Sequence, residues 1–294
     1  MPAVLCFGSL NIDYVYKVDH FVQAGETLAS EALNVYSGGK GLNQSVALGK
    51  AGCRTSHAGA IGRDGEFLLD VLRDAGVNTD LVLIADGART GNAIIQNDRA
   101  GDNCIILFAG ANFAVTEDYA DAVLAHFSKG DYIILQNEIS CLDYIITAAR
   151  KKGLVTVLNP SPVNGSITEH VLSQADWLIL NEIEAGVLTG SEAVDEEGLA
   201  AALRGAFPDT RVVLTMGGAG SCYISGETLC HQDIFPVETV DTTAAGDTFT
   251  GYFIAGLIAG WDIGKCLKTA SKAASIAVSR PGAAPSIPRM DEVL

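Results

Sequence analysis

The chain has 294 residues, of which 48% are hydrophobic, and its formal net charge is −16. This length is sufficient for one large α/β domain with an appendage, and the hydrophobic content excludes disorder as the main state. The acidic charge argues against nucleic acid and membrane lipid as partners, because both are negatively charged.

The sequence predicts neither a membrane span nor a secretory signal. No apolar run reaches the roughly 20 residues that cross a bilayer. Residues 1–8 contain no basic n-region and no small-residue cleavage site. The seven cysteines have no C-x-x-C spacing and the five histidines do not cluster, so neither a disulfide framework nor a zinc site is predicted. We therefore expect a cytoplasmic protein with reduced thiols.

Short apolar runs alternate with helical patterns along most of the chain. Helices are predicted at residues 45–50, 144–152 and 193–207. The apolar runs predict buried strands, at residues 4–7, 132–135, 155–158, 177–180 and 212–215. The alternation predicts an α/β fold, with an open, mostly parallel sheet and helices on both faces.

Two stretches depart from this alternation. Residues 13–37 and 89–109 contain β-branched, aromatic and polar residues in short alternating runs, and residues 97–102 have the composition of a turn. We predict that both stretches form one small second sheet. It would be inserted twice into a main domain made of residues 1–12, 38–88 and 110–294.

Polar residues follow several of the predicted strands. Each of them could be a cap of the following helix, but their repetition favours a shared role. In open parallel sheets, ligands bind outside the carboxyl ends of the strands. We therefore predict a binding cleft at this edge, formed by Asn11, Asp13, Glu138, Asn159, Asn181 and Glu184.

The most informative motif is DTTAAGDTFTG at residues 241–251, which precedes an apolar helical pattern. Ala244, Ala245 and Gly246 would leave the first N–H groups of that helix open to an anion. A carboxylate in the first turn, Asp247, could be an ordinary helix cap. Beside an anion hole, it could also accept the proton of an attacking hydroxyl, which is the chemistry of phosphoryl transfer.

A second glycine-rich motif, SGGKGLNQ, occupies residues 37–44. It lacks the spacing of a Walker A loop, and by itself it could be a tight turn. The dinucleotide fingerprint is also missing, because the glycines at 218 and 220 are not followed by the third glycine that this motif requires.

Taken in order, the motifs resemble those of the ribokinase-like carbohydrate kinases, also called the PfkB family. The resemblance implies ATP-dependent phosphorylation of a sugar hydroxyl, with D-ribose the favoured substrate. It extends over nearly the whole chain and rests on residues 8–13, 38–44, 109–112, 159–162, 181–184, 241–251 and 282–286.

The resemblance implies a role for individual residues. Asp247 matches the catalytic base, and Ala244, Ala245 and Gly246 match the anion hole. The positions that match sugar-binding residues are Asn11, Asp13, Gly39, Lys40, Asn43 and Glu138. Those that match nucleotide-binding residues are Asn181, Thr215, Gly217, Gly218, Gly220 and Gly246.

The resemblance also implies two metal ions and a partner subunit. Glu184 belongs to an Asn-x-x-Glu element that is associated with Mg²⁺. The second sheet matches a lid that also forms the contact of a homodimer. A monovalent cation, usually K⁺, would be bound by Asp241, Thr243, Ala277, Arg280, Gly282 and Ser286.

Several positions depart from the family pattern. Tyr14 and Phe108 replace histidines near the lid, Thr243 replaces an apolar residue, and the segment 62–68 is short. A kinase of the same family for another sugar, a nucleoside or a sugar acid therefore stays an alternative. Retention of Asp247 argues against a non-catalytic sugar sensor, and the missing fingerprint argues against a dehydrogenase.

Overall fold

The computed structural model describes residues 1–100 and 102–294. In chain order the strands are β1 (Val4–Phe7), β2 (Asn11–Lys17), β3 (Ala32–Gly38), β4 (Thr55–Ile61), β5 (Asn78–Ile84), β6 (Gly91–Asn97), β7 (Asn103–Phe108), β8 (Tyr132–Gln136), β9 (Val155–Asn159), β10 (Trp177–Asn181), β11 (Arg211–Thr215), β12 (Ser221–Ser225) and β13 (Thr228–Gln232). The α-helices are α1 (Lys40–Lys50), α2 (Phe67–Asp74), α3 (Glu117–Leu124), α4 (Leu142–Lys152), α5 (Glu169–Ser173), α6 (Glu182–Thr189), α7 (Glu196–Ala206), α8 (Ala245–Ile258), α9 (Ile263–Val278) and α10 (Met290–Val293).

The main sheet has nine strands in the order β13-β12-β11-β10-β9-β8-β1-β4-β5. Neighbouring strands from β11 to β5 pair in parallel, whereas β12 is antiparallel to both β11 and β13. Central strands of such a sheet are covered on both faces, which is why β1 reads as an uninterrupted apolar run and is fully buried. The predicted mostly parallel sheet is confirmed.

Alternate residues of β1 face two different hydrophobic cores. Leu5 and Phe7 pack with helices α3, α4, α5 and α7, while Val4 and Cys6 pack with α1, α2, α8 and α9. Successive side chains of a strand point to opposite faces, so these two cores lie on the two sides of the sheet. Helices on both faces were predicted and are confirmed.

The predicted helices exist, but all three begin elsewhere than expected. The helix predicted at 144–152 begins two residues earlier, at Leu142. The helix predicted at 193–207 begins at Glu196, because the side chain of Asp195 accepts a hydrogen bond from Gly198 N over 2.8 Å and caps it there. The helix predicted at 45–50 is α1 and begins at Lys40. Its earlier start has a cause in the candidate site, described below.

The second sheet has four strands in the order β3-β2-β6-β7. Strands β2 and β3 pair antiparallel, as do β6 and β7, and β2 pairs with β6 in parallel. Both predicted stretches therefore contribute to one small sheet. Within the part of the chain that the structure describes, no helix is both long and apolar enough to cross a membrane.

Candidate active site

Asp247 lies in the first turn of α8, at the wall of a cavity. Ala244, directly before the helix, has a φ of 61° in the left-handed region, and the chain turns there into the helix. The side chain of Asp247 is only 8% exposed. The first N–H groups and the dipole of a helix favour an anion at its start. The start of α8 therefore combines an anion-binding helix end with the carboxylate of Asp247.

Two side-chain amides from α1 hold the two oxygens of Asp247. Asn43 Nδ2 donates to Oδ2 over 3.1 Å, and Gln44 Nε2 donates to Oδ1 over 2.9 Å. Both amide side chains are buried. Hydrogen bonds to a charged acceptor are stronger than neutral ones, so the pair fixes the orientation of the carboxylate.

The glycine-rich motif at residues 37–44 joins the end of β3, at Gly38, to the start of α1, at Lys40. Gly39 has a φ of 94°, and a Cβ there would lie 3.0 Å from the backbone oxygen of Ser9. Lys40 N donates to Glu138 Oε2 over 3.2 Å, and Gly41 N donates to Ser9 Oγ over 3.3 Å. These partners satisfy N–H groups that a helix start leaves open, so the helix begins at Lys40.

The residues predicted to bind sugar form one continuous group. A Cβ on Gly39 would lie 3.1 Å from Asn11 N, and a Cβ on Gly38 would overlap the carboxylate of Asp13. Glu138 accepts a hydrogen bond from the backbone of Lys40 and another from Ser9 Oγ. Through the bond from Asn43 to Asp247, the group reaches the candidate base. Its members are Asn11, Asp13, Gly39, Lys40, Asn43 and Glu138.

Charges are concentrated in this group. Burial, assisted by the charge of Glu138, raises the pKa of Asp13 to about 6. Burial also raises the pKa of Glu138. For Lys40, burial lowers the pKa, but the carboxylates of Asp247, Glu138 and Glu184 together raise it above its usual value. The site thus combines several hydrogen-bond acceptors with one cation, which suits a ligand rich in hydroxyl groups.

A cavity of about 230 Å³ opens beside Asp247. Three of the residues predicted to bind nucleotide line it, namely Asn181, Thr215 and Gly246. Lys40 lines it too, so this lysine lies between the predicted sugar group and the predicted nucleotide group. A Cβ on Gly246 would meet no atom within 4 Å, so the helix end is open toward the cavity.

The remaining predicted nucleotide-binding glycines are not part of the cavity lining. Gly217 and Gly218 are exposed in a short 3₁₀ turn after β11, and Gly220 is buried at its end. Gly217 and Gly220 have φ values of 49° and 90°. The structure accounts for these two glycines by the left-handed backbone of the turn.

Glu184 and Asn181 form a capping box at the start of α6. Glu184 N donates to Asn181 Oδ1 over 2.8 Å, and Asn181 N donates to Glu184 Oε2 over 3.1 Å. Both residues also line the cavity. One oxygen of Glu184 is therefore engaged in the cap, and the other is available to a ligand or a water molecule.

The predicted cation-binding segments meet at Asp241. Its Oδ1 accepts from Thr243 N and its Oδ2 from Gly282 N, each over 2.9 Å. Partial burial would raise the pKa of Asp241, but these hydrogen bonds lower it overall. The backbone oxygen of Val278 accepts from Asp241 N over 3.1 Å and so joins the end of α9 to this point. Ser286 follows Gly282 closely in the sequence and is buried, and its Oγ donates to Ala283 O over 2.8 Å.

The oxygens at this place are of the kind that a hard cation prefers. The contacts shown at this place are the Asp241 carboxylate with the N–H groups of Thr243 and Gly282, and the Val278 carbonyl with Asp241 N. Each carboxylate oxygen has a second lone pair that an N–H group does not occupy. In residues 1–100 and 102–294, no group of three or more His, Cys, Asp or Glu side chains could hold a metal ion.

Tyr14 and Phe108 lie on the face of the second sheet opposite Asp13. Tyr14 follows Asp13 in β2, so the two side chains point to opposite faces. Phe108 is paired with Asn92, and Asn92 is paired with Ile12, so these three side chains share one face of the sheet. Ile12 lies two positions before Tyr14 in β2, so Tyr14 is on that face too. Tyr14 also packs against the hydrophobic core beneath the sheet. These departures from the family pattern therefore do not face the predicted sugar group.

Three buried amide residues of the site have no predicted role in the sequence analysis. Asn112 donates from Nδ2 to Asn11 Oδ1 over 2.8 Å, and Gln136 donates from Nε2 to Gln44 Oε1 over 2.6 Å. Gln44 and Asn112 lie inside motifs that carry the family resemblance, whereas Gln136 is the last residue of β8. A buried polar residue at the carboxyl end of a central strand is the signal that could have identified Gln136.

The whole chain matches one protein family. Residues 1–290 match the pfkB family carbohydrate kinase. The chain belongs to this family. The resemblance recognised in the sequence is confirmed.

Individual relatives support the same assignment. The ribokinase of Staphylococcus aureus is 33% identical over 300 residues, covering 99% of this chain and 98% of the relative. The bifunctional ribokinase/ribose-5-phosphate isomerase A of Fructilactobacillus sanfranciscensis is 35% identical over 306 residues, and the chain spans 56% of its length. The structure of Arabidopsis thaliana ribokinase complexed with ribose and ATP has a TM-score of 0.91 and 31% identity, covering 99% of this chain and 97% of that one.

Proposed function

We propose that this protein phosphorylates the primary 5-hydroxyl of D-ribose with ATP, giving D-ribose 5-phosphate and ADP. One observation carries the proposal. Asp247 stands at an open helix end, beside a cavity on one side and joined through Asn43 to a hydroxyl-binding group on the other. Full-length relatives that are named ribokinase, and a closely similar ribokinase structure that contains ribose and ATP, support this choice.

In the proposed mechanism, Asp247 accepts the proton of the sugar hydroxyl. The hydroxyl oxygen forms a bond to the γ-phosphorus of ATP while the bond from that phosphorus to the leaving oxygen of ADP breaks. Negative charge on the transferred group would be stabilised by the N–H groups at the start of α8, where Ala244, Ala245 and Gly246 form the proposed anion hole. The N–H of Ala245 would then exchange its bond to Thr242 O for one to the phosphoryl group. Lys40 lies between both substrates and contributes a positive charge.

The sugar is held by side chains from several segments. Asn11, Asp13, Asn43 and Glu138 hydrogen-bond the ring hydroxyls, and the backbone at Gly39 allows close approach. Binding energy from these remote hydroxyls positions the reacting oxygen in line with the γ-phosphate. A site built in this way disfavours analogues that lack a hydroxyl, because its own polar groups then stay unpaired.

The nucleotide occupies the cavity beside α8. Asn181 and Thr215 line this cavity, and Gly217, Gly218 and Gly220 belong to the turn that follows Thr215 in the chain. Mg²⁺ accompanies the phosphates and is assisted by Glu184, whose second carboxylate oxygen is not used by the helix cap. Mg²⁺ supplies neutralisation of the phosphate charge when it is bound.

K⁺ is proposed to bind at Asp241, outside the ATP cavity. The ligands are the Asp241 carboxylate and oxygens of Thr243, Ala277, Arg280, Gly282 and Ser286. This site is connected to the anion hole, since Ala245 N donates to Thr242 O over 3.2 Å. The cation would brace the loop before α8 rather than contact ATP.

The small sheet is proposed to be both a lid and a dimer contact. The lid comprises residues 13–37 and 89–109, and the remaining residues form the kinase domain. Ile105, Ile106, Leu107 and Phe108 on its edge strand are each more than half exposed. Exposed apolar residues on an unpaired edge favour association with a second copy of the chain.

The protein is proposed to act in the cytoplasm. Its cysteines are free thiols in the described part of the chain, which is compatible with a reducing compartment.

A substrate panel tests the proposal. ADP release and product identity are measured with D-ribose, 2-deoxy-D-ribose, D-fructose, a nucleoside and a sugar acid. Ribose is expected to have the highest kcat/KM and to yield the 5-phosphate. For 2-deoxyribose, an unpaired polar group should reduce kcat/KM by roughly tenfold to a hundredfold. A much higher kcat/KM for fructose, a nucleoside or a sugar acid would assign the protein to the alternative substrates. Ribose binding without any turnover would instead indicate a sugar sensor.

A further inference from the structure

Gln44 and Gln136 form a buried chain of amides that ends on Asp247. Gln136 Nε2 donates to Gln44 Oε1 over 2.6 Å, and Gln44 Nε2 donates to Asp247 Oδ1 over 2.9 Å. Both glutamine side chains are completely buried. They come from the end of β8 and from α1, and 92 positions separate them in the sequence.

The carboxylate of Asp247 determines which group of each amide donates and which accepts. An ionised carboxylate accepts hydrogen bonds but cannot donate them, so Gln44 must present its NH₂ group to Asp247. Its oxygen then faces Gln136, and Gln136 must present its own NH₂ group in turn. Each amide therefore has one permitted orientation, and the orientation of Gln44 depends on that of Gln136.

The arrangement is costly for stability. Among the described residues, Oε1 of Gln136 has no hydrogen-bond partner although it is buried. A buried unpaired polar group costs about 1–3 kcal/mol. The amide also requires a glycine at position 8, because an ideal Cβ there would lie 2.0 Å from Oε1 of Gln136. An apolar side chain at position 136 alone would leave Gln44 Oε1 unpaired, but apolar side chains at both positions would avoid every unpaired group, so stability does not explain the glutamine pair.

We propose that Gln44 and Gln136 are positioning residues that aim the Asp247 carboxylate at the sugar hydroxyl. Asn43 fixes one oxygen of Asp247, and Gln44 fixes the other. With both oxygens held, the carboxylate cannot rotate, and the lone pair that receives the proton keeps one direction. Gln136 acts through Gln44. This inference rests on the proposed role of Asp247 as the base.

Methionine substitutions test the chain of amides, because methionine has a similar length and no amide group. In Gln44→Met, kcat should fall roughly tenfold to a hundredfold, since small misplacements of reacting groups cost up to about a hundredfold. The KM values for ribose and ATP should stay within about twofold, because Gln44 is completely buried and does not line the cavity. Gln136→Met should lower kcat by a smaller factor. Gln174→Met, on a partly exposed surface position far from β8 in sequence, is the matched control and should leave kcat unchanged.

The double variant decides whether Gln136 acts through Gln44. Gln44→Met/Gln136→Met should have the same kcat as Gln44→Met, within about twofold, because the second substitution removes an interaction already lost. The proposal would be overturned if the losses in kcat of the two single variants multiply in the double variant. It would also be overturned if KM rises while kcat is unchanged. If either variant fails to fold by thermal unfolding, Gln44→Asn provides a second measurement. Its amide is one methylene shorter and does not reach Asp247 Oδ1, so kcat should fall while ADP binding persists.

Asp247→Asn separates the role of the base from the role of the two glutamines. If Asp247→Asn retains the wild-type kcat, the proposed base is wrong. If Asp247→Asn is impaired but Gln44→Met has wild-type kcat, only the positioning role is wrong.

Discussion

Asn112 and Asn11 are joined by a buried hydrogen bond, from Nδ2 of Asn112 to Oδ1 of Asn11 over 2.8 Å. Asn112 also accepts from Leu10 N over 3.0 Å. It lies in a 3₁₀ turn directly after the lid, and its side chain is 1% exposed. One amide thus orients a predicted sugar-binding side chain and fixes the backbone that leads into β2.

Asn112→Ala should therefore weaken sugar binding. Loss of the bond leaves Asn11 and Leu10 N without their partner, which lowers folding stability by about 1–3 kcal/mol. A misoriented Asn11 should lose about one hydrogen bond to ribose, at about 0.5–1.5 kcal/mol, so the KM for ribose should rise roughly twofold to tenfold. The KM for ATP should change little, because Asn112 does not line the cavity. Steady-state kinetics measures both values, with Asn97→Ala at an exposed position of β6 as the control. An unchanged KM for ribose in a folded variant would contradict the orienting role.

Asp13 should make the free enzyme less stable at neutral pH. Its pKa is raised to about 6 in the folded protein by burial and by Glu138, against 3.8 for an unperturbed group. The folded state therefore binds this proton more tightly than the unfolded state, and stability is lost as pH rises from about 4 to 6. Asp13→Asn removes this penalty, so it should stabilise the protein by about 1–3 kcal/mol at pH 7.5.

The gain should depend on pH in a specific direction. Denaturant unfolding of wild type and Asp13→Asn is compared from pH 4 to pH 7.5, and the difference should shrink below about 1 kcal/mol near pH 4. Asp102→Asn, at an exposed position, serves as the control. Equal stability of wild type and Asp13→Asn at pH 7.5 would show that the carboxyl group of Asp13 is not perturbed.

Local patterns were enough to predict the main sheet, the strands of the small sheet and the place of Asp247 at the start of a helix. The apolar run at β1 and the small residues before Asp247 each indicate local structure within a stretch of a few residues. The contacts of Gln136 with Gln44 and of Asn112 with Asn11 could not be predicted in this way, because 92 and 101 positions separate the partners. Such pairs arise only when the strand ends assemble.

The start of α1 also depends on a contact between residues that are distant in the sequence. Its first N–H group is capped by Glu138, which is 98 positions away from Lys40. A local reading of the glycine-rich motif therefore placed the helix start five residues too late. The raised pKa of Asp13 likewise depends on burial by the assembled site, and no local pattern indicates it.

Activation by K⁺ should depend on the carboxylate of Asp241. With wild type, kcat should be at least about fivefold higher in potassium than in tetramethylammonium buffer, as for a coupling free energy of about 1 kcal/mol. Asp241→Asn should abolish this difference, because it removes the negative charge that holds the cation. Thr243→Val keeps the main-chain oxygen and should still respond. Equal kcat of wild type in both buffers would exclude the proposed cation site.

The lid edge should mediate dimerisation. Ile106 and Val187 are each 63% exposed, but Ile106 is on β7 of the lid and Val187 is on α6. Ile106→Asp places a charge in the proposed contact and should yield monomers, since burying an unpaired charge is strongly unfavourable. Val187→Asp is the matched control and should stay dimeric. Analytical ultracentrifugation at micromolar protein measures both, and a monomeric wild type would refute the proposed dimer.

The role of Asp247 is tested most directly by a single-turnover measurement. Excess wild-type or Asp247→Asn enzyme is mixed with radiolabelled ATP, Mg²⁺ and D-ribose, and the sugar phosphate formed is quantified over time. Removal of a general base predicts a rate of phosphoryl transfer at least roughly 10²-fold lower in the variant. Its thermal unfolding and its affinity for ribose and ATP should stay close to those of wild type. Phosphoryl transfer by Asp247→Asn at the wild-type rate would contradict the account.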